Sequence, residues 1–228
     1  VAVAAGSAAG VPQEAGEMKN AESFFTDEEK ERIRKAVAKA EQQTSGEIVP
    51  MLVGSCARYA EVELLGTIFG LVIGTAAALV WHDPWGETEI RILWPFVGAA
   101  LGFILSRVST IKRWLIPKGR VAEAVHTRCL AEFTDNGLHY TRAHTGILIF
   151  ASLLEHRVEV LADRGINEKV QPATWDEVVK TLTSGLKSKN ACDAFCQAIE
   201  RCGKILAEHF PRPPDDRDEL VSRIITEK

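Results

Sequence analysis

Several catalytic signatures are missing from this chain, and each absence removes a class of chemistry. It has no GxxxxGK[ST] phosphate loop and no GxGxxG dinucleotide turn. No cysteine is followed six positions later by arginine, as a thiolate phosphatase needs, and no GxSxG elbow is present. The five cysteines, Cys56, Cys129, Cys192, Cys196 and Cys202, form an odd set without a CxxC pair, which argues against a disulfide framework or a zinc ribbon. Cys192 and Cys196 are four apart and share a helix face, where a reduced, partly buried pair is the expected state. A basic surplus is also lacking: the net charge is -4, so no nucleic-acid footprint is expected.

What the chain does have is two long apolar runs back to back, Leu64 to Trp81 and Ile92 to Ser106, joined by a short acidic turn. The first holds about 18 residues without a charge, between Glu63 and His82, enough to cross a hydrocarbon core of roughly 30 Å. The second holds about 15 between Arg91 and Arg107, and reaches across only if both arginines snorkel or the bilayer thins. Pro95 falls in its first turn, where a missing N–H is harmless. Trp81, Trp85 and Trp94 gather at one end, with Tyr59 and Trp114 at the other, as interfacial aromatic belts do. The pattern predicts a two-helix transmembrane hairpin over 61–111. The alternative is a pair of buried helices in a soluble protein.

Lys and Arg set the orientation. Arg58, Arg107, Lys112, Arg113, Lys118 and Arg120 lie beyond the open ends, whereas the turn His82 to Ile90 holds Asp83, Glu87 and Glu89 and no cation. The positive-inside rule then places both termini and the soluble part in the cytoplasm, with a bacterial inner membrane as the setting. Gly66, Gly70, Gly74 and Ala78 recur every four residues, as do Gly98, Gly102 and Ser106. These small-residue faces let helices approach closely in lipid, and contact within the hairpin is their expected use.

Residues 1–22, rich in Ala and Gly, lack the basic and apolar segments of a signal peptide and are expected to form a flexible tail. Thr26 with Glu29 forms a capping box, and Ile33, Ala36, Val37 and Ala40 predict a helix from about Asp27 to Gln43. Glu47 to Val53 reads as a buried strand, with Pro50 pointing to an edge or a bulge. Gly119 to Phe133 has helical spacing and ends at Asp135, Asn136 and Gly137. ILIFASL, from Ile147, and Arg157 to Leu161 should pair as an antiparallel hairpin, with the first strand parallel to Ile147 to Leu153 across a helical connection. Trp175 to Leu186, entered through Thr174, and Ala191 to Phe210 complete the set. The expected fold is α/β: a three-layer sandwich with a small mixed sheet, built from 23–58 and 112–228 and interrupted by the hairpin.

Taken in order, FFTDEEKERIRKAVAKAEQQTSGEIVPMLV, HTGILIFASLLEHRVEVLADRGI, Trp175, and a final HFP followed by DDRDEL resemble the TPM-domain family. That family includes thylakoid-lumen proteins linked to photosystem II repair and acid phosphatase activity, and animal receptor-associated membrane proteins. The resemblance implies a compact α/β domain with acidic residues at loop ends, metal binding in some members and phosphatase activity in a few. Thr44, Gly46, Glu47, Thr145, Gly146, Asp163 and Gly165 match its segments. Val221 and Ser222 stand where many relatives carry Pro and Asp.

Asp215, Asp216, Asp218 and Glu219 are hard oxygen donors of the kind that hold calcium or magnesium, provided their loop folds back onto the strand ends. Asp163 ends one apolar strand and Glu47 starts another, so both are candidates for a shared crevice at the sheet edge. A helix cap explains Asp163 equally well. His139 and His144 lie near each other in a connecting segment whose ordinary state is a surface loop. Two functions follow as expectations: a membrane-anchored accessory or assembly module for a membrane-protein complex, or a membrane-tethered, divalent-metal-dependent acid phosphatase.

Overall fold

The computed structural model describes the backbone of residues 2–7 and residues 21–80, 91–108, 111–112, 115–213 and 224–227. In chain order the elements are β1 (Ala2–Ser7), α1 (Asp27–Glu41), β2 (Glu47–Val53), α2 (Ala60–Val80), α3 (Trp94–Ser106) and α4 (Lys118–Asp135), then β3 (Gly146–Ser152), β4 (Arg157–Ala162), α5 (Arg164–Asn167), α6 (Asp176–Lys187), α7 (Ala191–His209) and β5 (Ile225–Glu227). They fall into two compact units. One combines Val1–Cys56 with Glu123–Lys228, and the other is Ala57–Ala122.

The first unit is a mixed α/β fold on a sheet of order β1-β4-β3-β2-β5. β2 runs parallel to β3, and β3 pairs antiparallel with β4, both as the sequence implies. Alternation along the strands separates two apolar sets. Ile48, Leu52, Ile147, Ile149, Ala151, Val158 and Val160 join one core with Ile33 and Val37 of α1, Val178 and Leu182 of α6 and Phe195 and Ile199 of α7. Val49, Met51, Leu148, Phe150 and Leu161 occupy the alternate positions and are buried as well. Strands covered on both faces lose the polar alternation of a half-exposed sheet, which is why EIVPMLV and ILIFAS read as continuous apolar runs.

Helix α1 begins as its capping box dictates: the Glu29 N–H donates to Thr26 Oγ1 at 3.2 Å and the Thr26 N–H to Glu29 Oε2 at 2.9 Å. It ends at Glu41, short of the expected Gln43: the Gln43 and Thr44 N–H groups bond to the carbonyls three residues back, and the Glu41 carboxylate accepts the Ile48 N–H at 3.0 Å. That contact also explains Pro50. β2 is not an edge strand, yet β5 pairs with it only from Met51 onward. Pro50 lies two residues beyond Ile48 on the same side of the strand, so its missing N–H faces a stretch where no strand among the described residues asks for one.

Two other expectations change. The tail expected over 1–22 starts with a strand, since Ala2–Ser7 pairs along Arg157–Ala162 and satisfies an edge of β4 that would otherwise be open. Helix α6 is entered through a 3-10 turn over Pro172–Trp175, where proline sets the first φ, and not directly through Thr174. Short β5 and one-turn α5 carry too little pattern to be read in advance.

In the second unit, α2 and α3 form an antiparallel helical hairpin. A Cβ on Gly66 would sit 2.6 Å from Ser106 Cβ, one on Gly70 would strike the Gly98 carbonyl, and one on Gly74 the Trp94 carbonyl. The small-residue faces therefore meet inside the hairpin, as expected. Leu64, Leu65, Ile68, Phe69, Phe96 and Ile104 are exposed on its outside. Thr67 and Thr75 donate their hydroxyls to the carbonyls four residues back, which removes them from an apolar surface. Among the described residues only α2, with 21 residues and mean hydropathy 1.9, is long and apolar enough to cross a membrane, while α3 has 13 residues. Trp81, Trp85, Arg113, Trp114 and the acidic turn lie outside the described residues.

Candidate functional site

Polar groups gather where β2 and β3 begin and β4 ends. Glu47 is in register with Gly146, and the Asp163 N–H donates to the Gly146 carbonyl at 2.9 Å, so the two carboxylate-bearing positions flank β3 from either side. Both residues are buried. Two strand spacings put their backbones about 10 Å apart.

The Asp163 carboxylate is already occupied. It caps α5 by accepting the Arg164 N–H at 2.6 Å and lies 3.2 Å from His144 Nδ1 through its other oxygen. His144 reaches it from a left-handed conformation, φ 54°, held by the Gly165 N–H donating to its carbonyl at 3.0 Å. Only glycine fits at 165, because a Cβ there would strike the Ala143 carbonyl. The result is a half-exposed imidazole oriented by a buried carboxylate, an arrangement that leaves Nε2 to accept or give a proton. His139 does not join it and lies against Tyr140, with ring centroids 3.8 Å apart.

Asp215, Asp216, Asp218 and Glu219 lie outside the described residues. Among the described residues no three His, Cys, Asp or Glu side chains are grouped to hold a metal ion. Glu47 and Asp163 are brought to the same end of the sheet, and no third such side chain among the described residues joins them there.

Sequence reasoning missed two other polar groupings. At the opposite end of the parallel strands, Glu155 accepts the Ser152 hydroxyl and the Cys56 N–H, the latter at 3.0 Å, tying the chain after β2 to the β3–β4 turn. Burial, reinforced by Glu155, pushes the Cys56 thiol well up, so it is not a neutral-pH nucleophile. Arg128 of α4 binds both Glu132 and Glu227, each at 2.6 Å, and so fastens β5. The Cys56–Glu155 and Arg128–Glu227 ties join residues 99 positions apart, so no local pattern announces them.

In the middle of β4, Glu159 is buried beside half-exposed His126 of α4, with Oε2 3.4 Å from Nδ1. Burial raises the Glu159 carboxyl, and the His126 contact and the Arg157 charge oppose that rise only in part. A carboxyl raised in the folded state binds protons there that the unfolded chain has released. Its stabilising share is complete below the ordinary carboxylate range and is lost as pH climbs through the raised value. Glu159→Gln is therefore expected to flatten the fall in stability from pH 4 toward 7 and to be more stable than the parent at the upper end. Denaturant melts at both pH values measure it, and an unchanged slope would count against a burdened carboxylate.

No protein-family model matches this sequence. No curated protein matches it either. Among solved structures, the fold is similar to the NMR structure of BA42 protein from the psychrophilic bacterium Bizionia argentinensis, with a TM-score of 0.55 and 22% identity over 89% of this chain and 94% of that one. At that identity the likeness concerns the fold.

Proposed function

We propose that this chain is a three-layer α/β domain of TPM type, tethered by a two-span membrane hairpin, that serves as an accessory or assembly module for a membrane-protein complex. The carrying observation is the hairpin, whose seam is glycine backbone and whose exterior is Leu64, Ile68, Phe69, Phe96 and Ile104. In water such a continuous apolar surface invites aggregation, whereas in lipid it is the ordinary exterior. Arg91 supports a span for the shorter helix: its guanidinium hooks the Ala78 carbonyl at 3.0 Å, which lodges the charge on the carbonyl end of α2. At the other end Lys112 pairs with Glu63 at 3.1 Å. Orientation follows from Arg58, Arg107, Lys112, Lys118 and Arg120, which favour a cytoplasmic α/β domain and cytoplasmic termini, in a bacterial inner membrane.

Gentle detergent extraction from the native membrane, followed by mass spectrometry, tests the reading. A stoichiometric membrane-protein partner is expected. A partnerless protein that releases phosphate in the presence of Mg2+ or Ca2+ would overturn it in favour of a tethered acid phosphatase. The His144–Asp163 pair is the observation that favours this second reading, since it offers an oriented proton acceptor. Under it, Asp163→Asn lowers turnover by about a hundredfold; under the accessory reading there is no turnover to lower.

A further inference from the structure

Cys192 and Cys196 stand one turn apart in the first half of α7, beside α1. Cys192 is buried and Cys196 half-buried, and each is hydrogen-bonded to the other. The Cys192 thiol also contacts the Glu29 carbonyl of α1, with sulfur and oxygen 3.8 Å apart. Arg32, one turn further along α1, pairs with Asp193 and brings its positive charge close to both sulfurs. Glu29, Arg32 and Asp193 are thus the charged residues around the pair.

This geometry disfavours a disulfide. A helix holds residues four apart with Cβ atoms about 5–6 Å from each other, while a disulfide needs about 3.5–4.5 Å. The two thiols therefore persist as a dithiol, and what fits between them is a group that bridges a gap wider than one S–S bond. Soft thiolate donors select soft ions. Two donors saturate only an ion that accepts linear coordination, which a tetrahedral zinc ion does not.

We propose that Cys192 and Cys196 form a two-coordinate site for a soft monovalent metal ion of the Cu(I) class. The step involves no change of oxidation state: Cu+ gains two Cu–S bonds, two S–H bonds break, and two protons leave to solvent. The product is a bis-thiolate carrying one negative charge, and the Arg32 guanidinium lies where it neutralises that charge. An ordinary thiol is mostly protonated at neutral pH, so metal must displace two protons as it binds. The other three cysteines suit an anionic bis-thiolate less well: Cys202 is buried, and Cys56 and Cys129, which neighbour each other, lie beside Glu155 and Glu159, whose charges oppose it.

The test uses the reduced, full-length protein in detergent, titrated anaerobically with Cu(I) held by a coloured competing chelator. One ion per chain and release of two protons are expected, with sulfur-to-copper charge-transfer absorption in the ultraviolet. Cys196→Ala and Cys192→Ala should each weaken binding at least tenfold, and Cys56→Ala should leave it unchanged. Because Cys192 is buried, Cys196→Ala with an unaltered copper-free melting curve is the deciding variant. Binding that survives that variant, or that disappears equally in Cys56→Ala, overturns the site. Zinc serves as the control and should bind far more weakly.

Discussion

Replacing residues 61–111 with a short Gly/Ser linker is expected to give a product that is soluble without detergent and unfolds cooperatively. The physical case has two parts. The ends of the excised segment meet, since Lys112 reaches Glu63 at 3.1 Å and Arg120 reaches Glu61 at 3.6 Å. A linker across that gap closes a short loop, and loop-closure entropy grows only as the logarithm of length. The apolar core of the first unit is then complete without the hairpin, drawing Phe25, Ile33 and Ile48 from before it and Ile147, Trp175, Phe195 and Ile199 from after it. Fractionation measures the change: the full chain should sediment with membranes and the shortened chain should stay in the supernatant. An insoluble product, or one with no cooperative melt, would mean that the two units do not fold separately.

The second large effect concerns Trp175. It is fully buried in the 3-10 turn that leads into α6, among the side chains that cover the sheet. Trp175→Ala leaves a cavity that the surrounding helices cannot fill and is expected to cost about 3–5 kcal/mol. Against a total stability of about 5–15 kcal/mol, that approaches loss of the fold. Trp175→Phe should cost less than about 2 kcal/mol, because the indole Nε1 has no hydrogen-bond partner among the described residues and the change removes volume alone. Far-UV circular dichroism during urea denaturation of the linker-shortened domain separates the two. Equal losses would show that the indole N–H holds a bond of its own.

Most of the architecture was legible because it is written in short-range periodicity. Thr26 and Glu29 announce a helix start by chemistry confined to four residues, and ILIFAS announces a strand covered on both faces. The glycine spacing of α2 and α3 announced their contact, since Gly70 and Gly98 have no other means of bringing two helix backbones so close. Pro50 misled for an equally definite reason: the rule that confines proline to edges concerns the N–H, and only the late start of β5 decides what that N–H would have met.

The candidate site was legible in composition and not in arrangement. Asp163 and Glu47 were picked out as carboxylates at strand ends, and both lie at one end of the sheet. The imidazole that Asp163 orients is His144, nineteen residues away, and the sequence marks His139 and His144 only as neighbours in one connecting segment. Glu159 and His126, or Glu155 and Cys56, meet only because β3 is parallel to β2 and α4 reaches β4. The sequence alone determined the longer elements, the capping of α1 and the apolar hairpin, because these depend on interactions within a few residues along the chain. Tertiary structure decided which carboxylate is capped, which is buried beside a histidine and where β1 and β5 dock. Those outcomes depend on strand order and register, through which groups far apart in sequence come to share one buried volume.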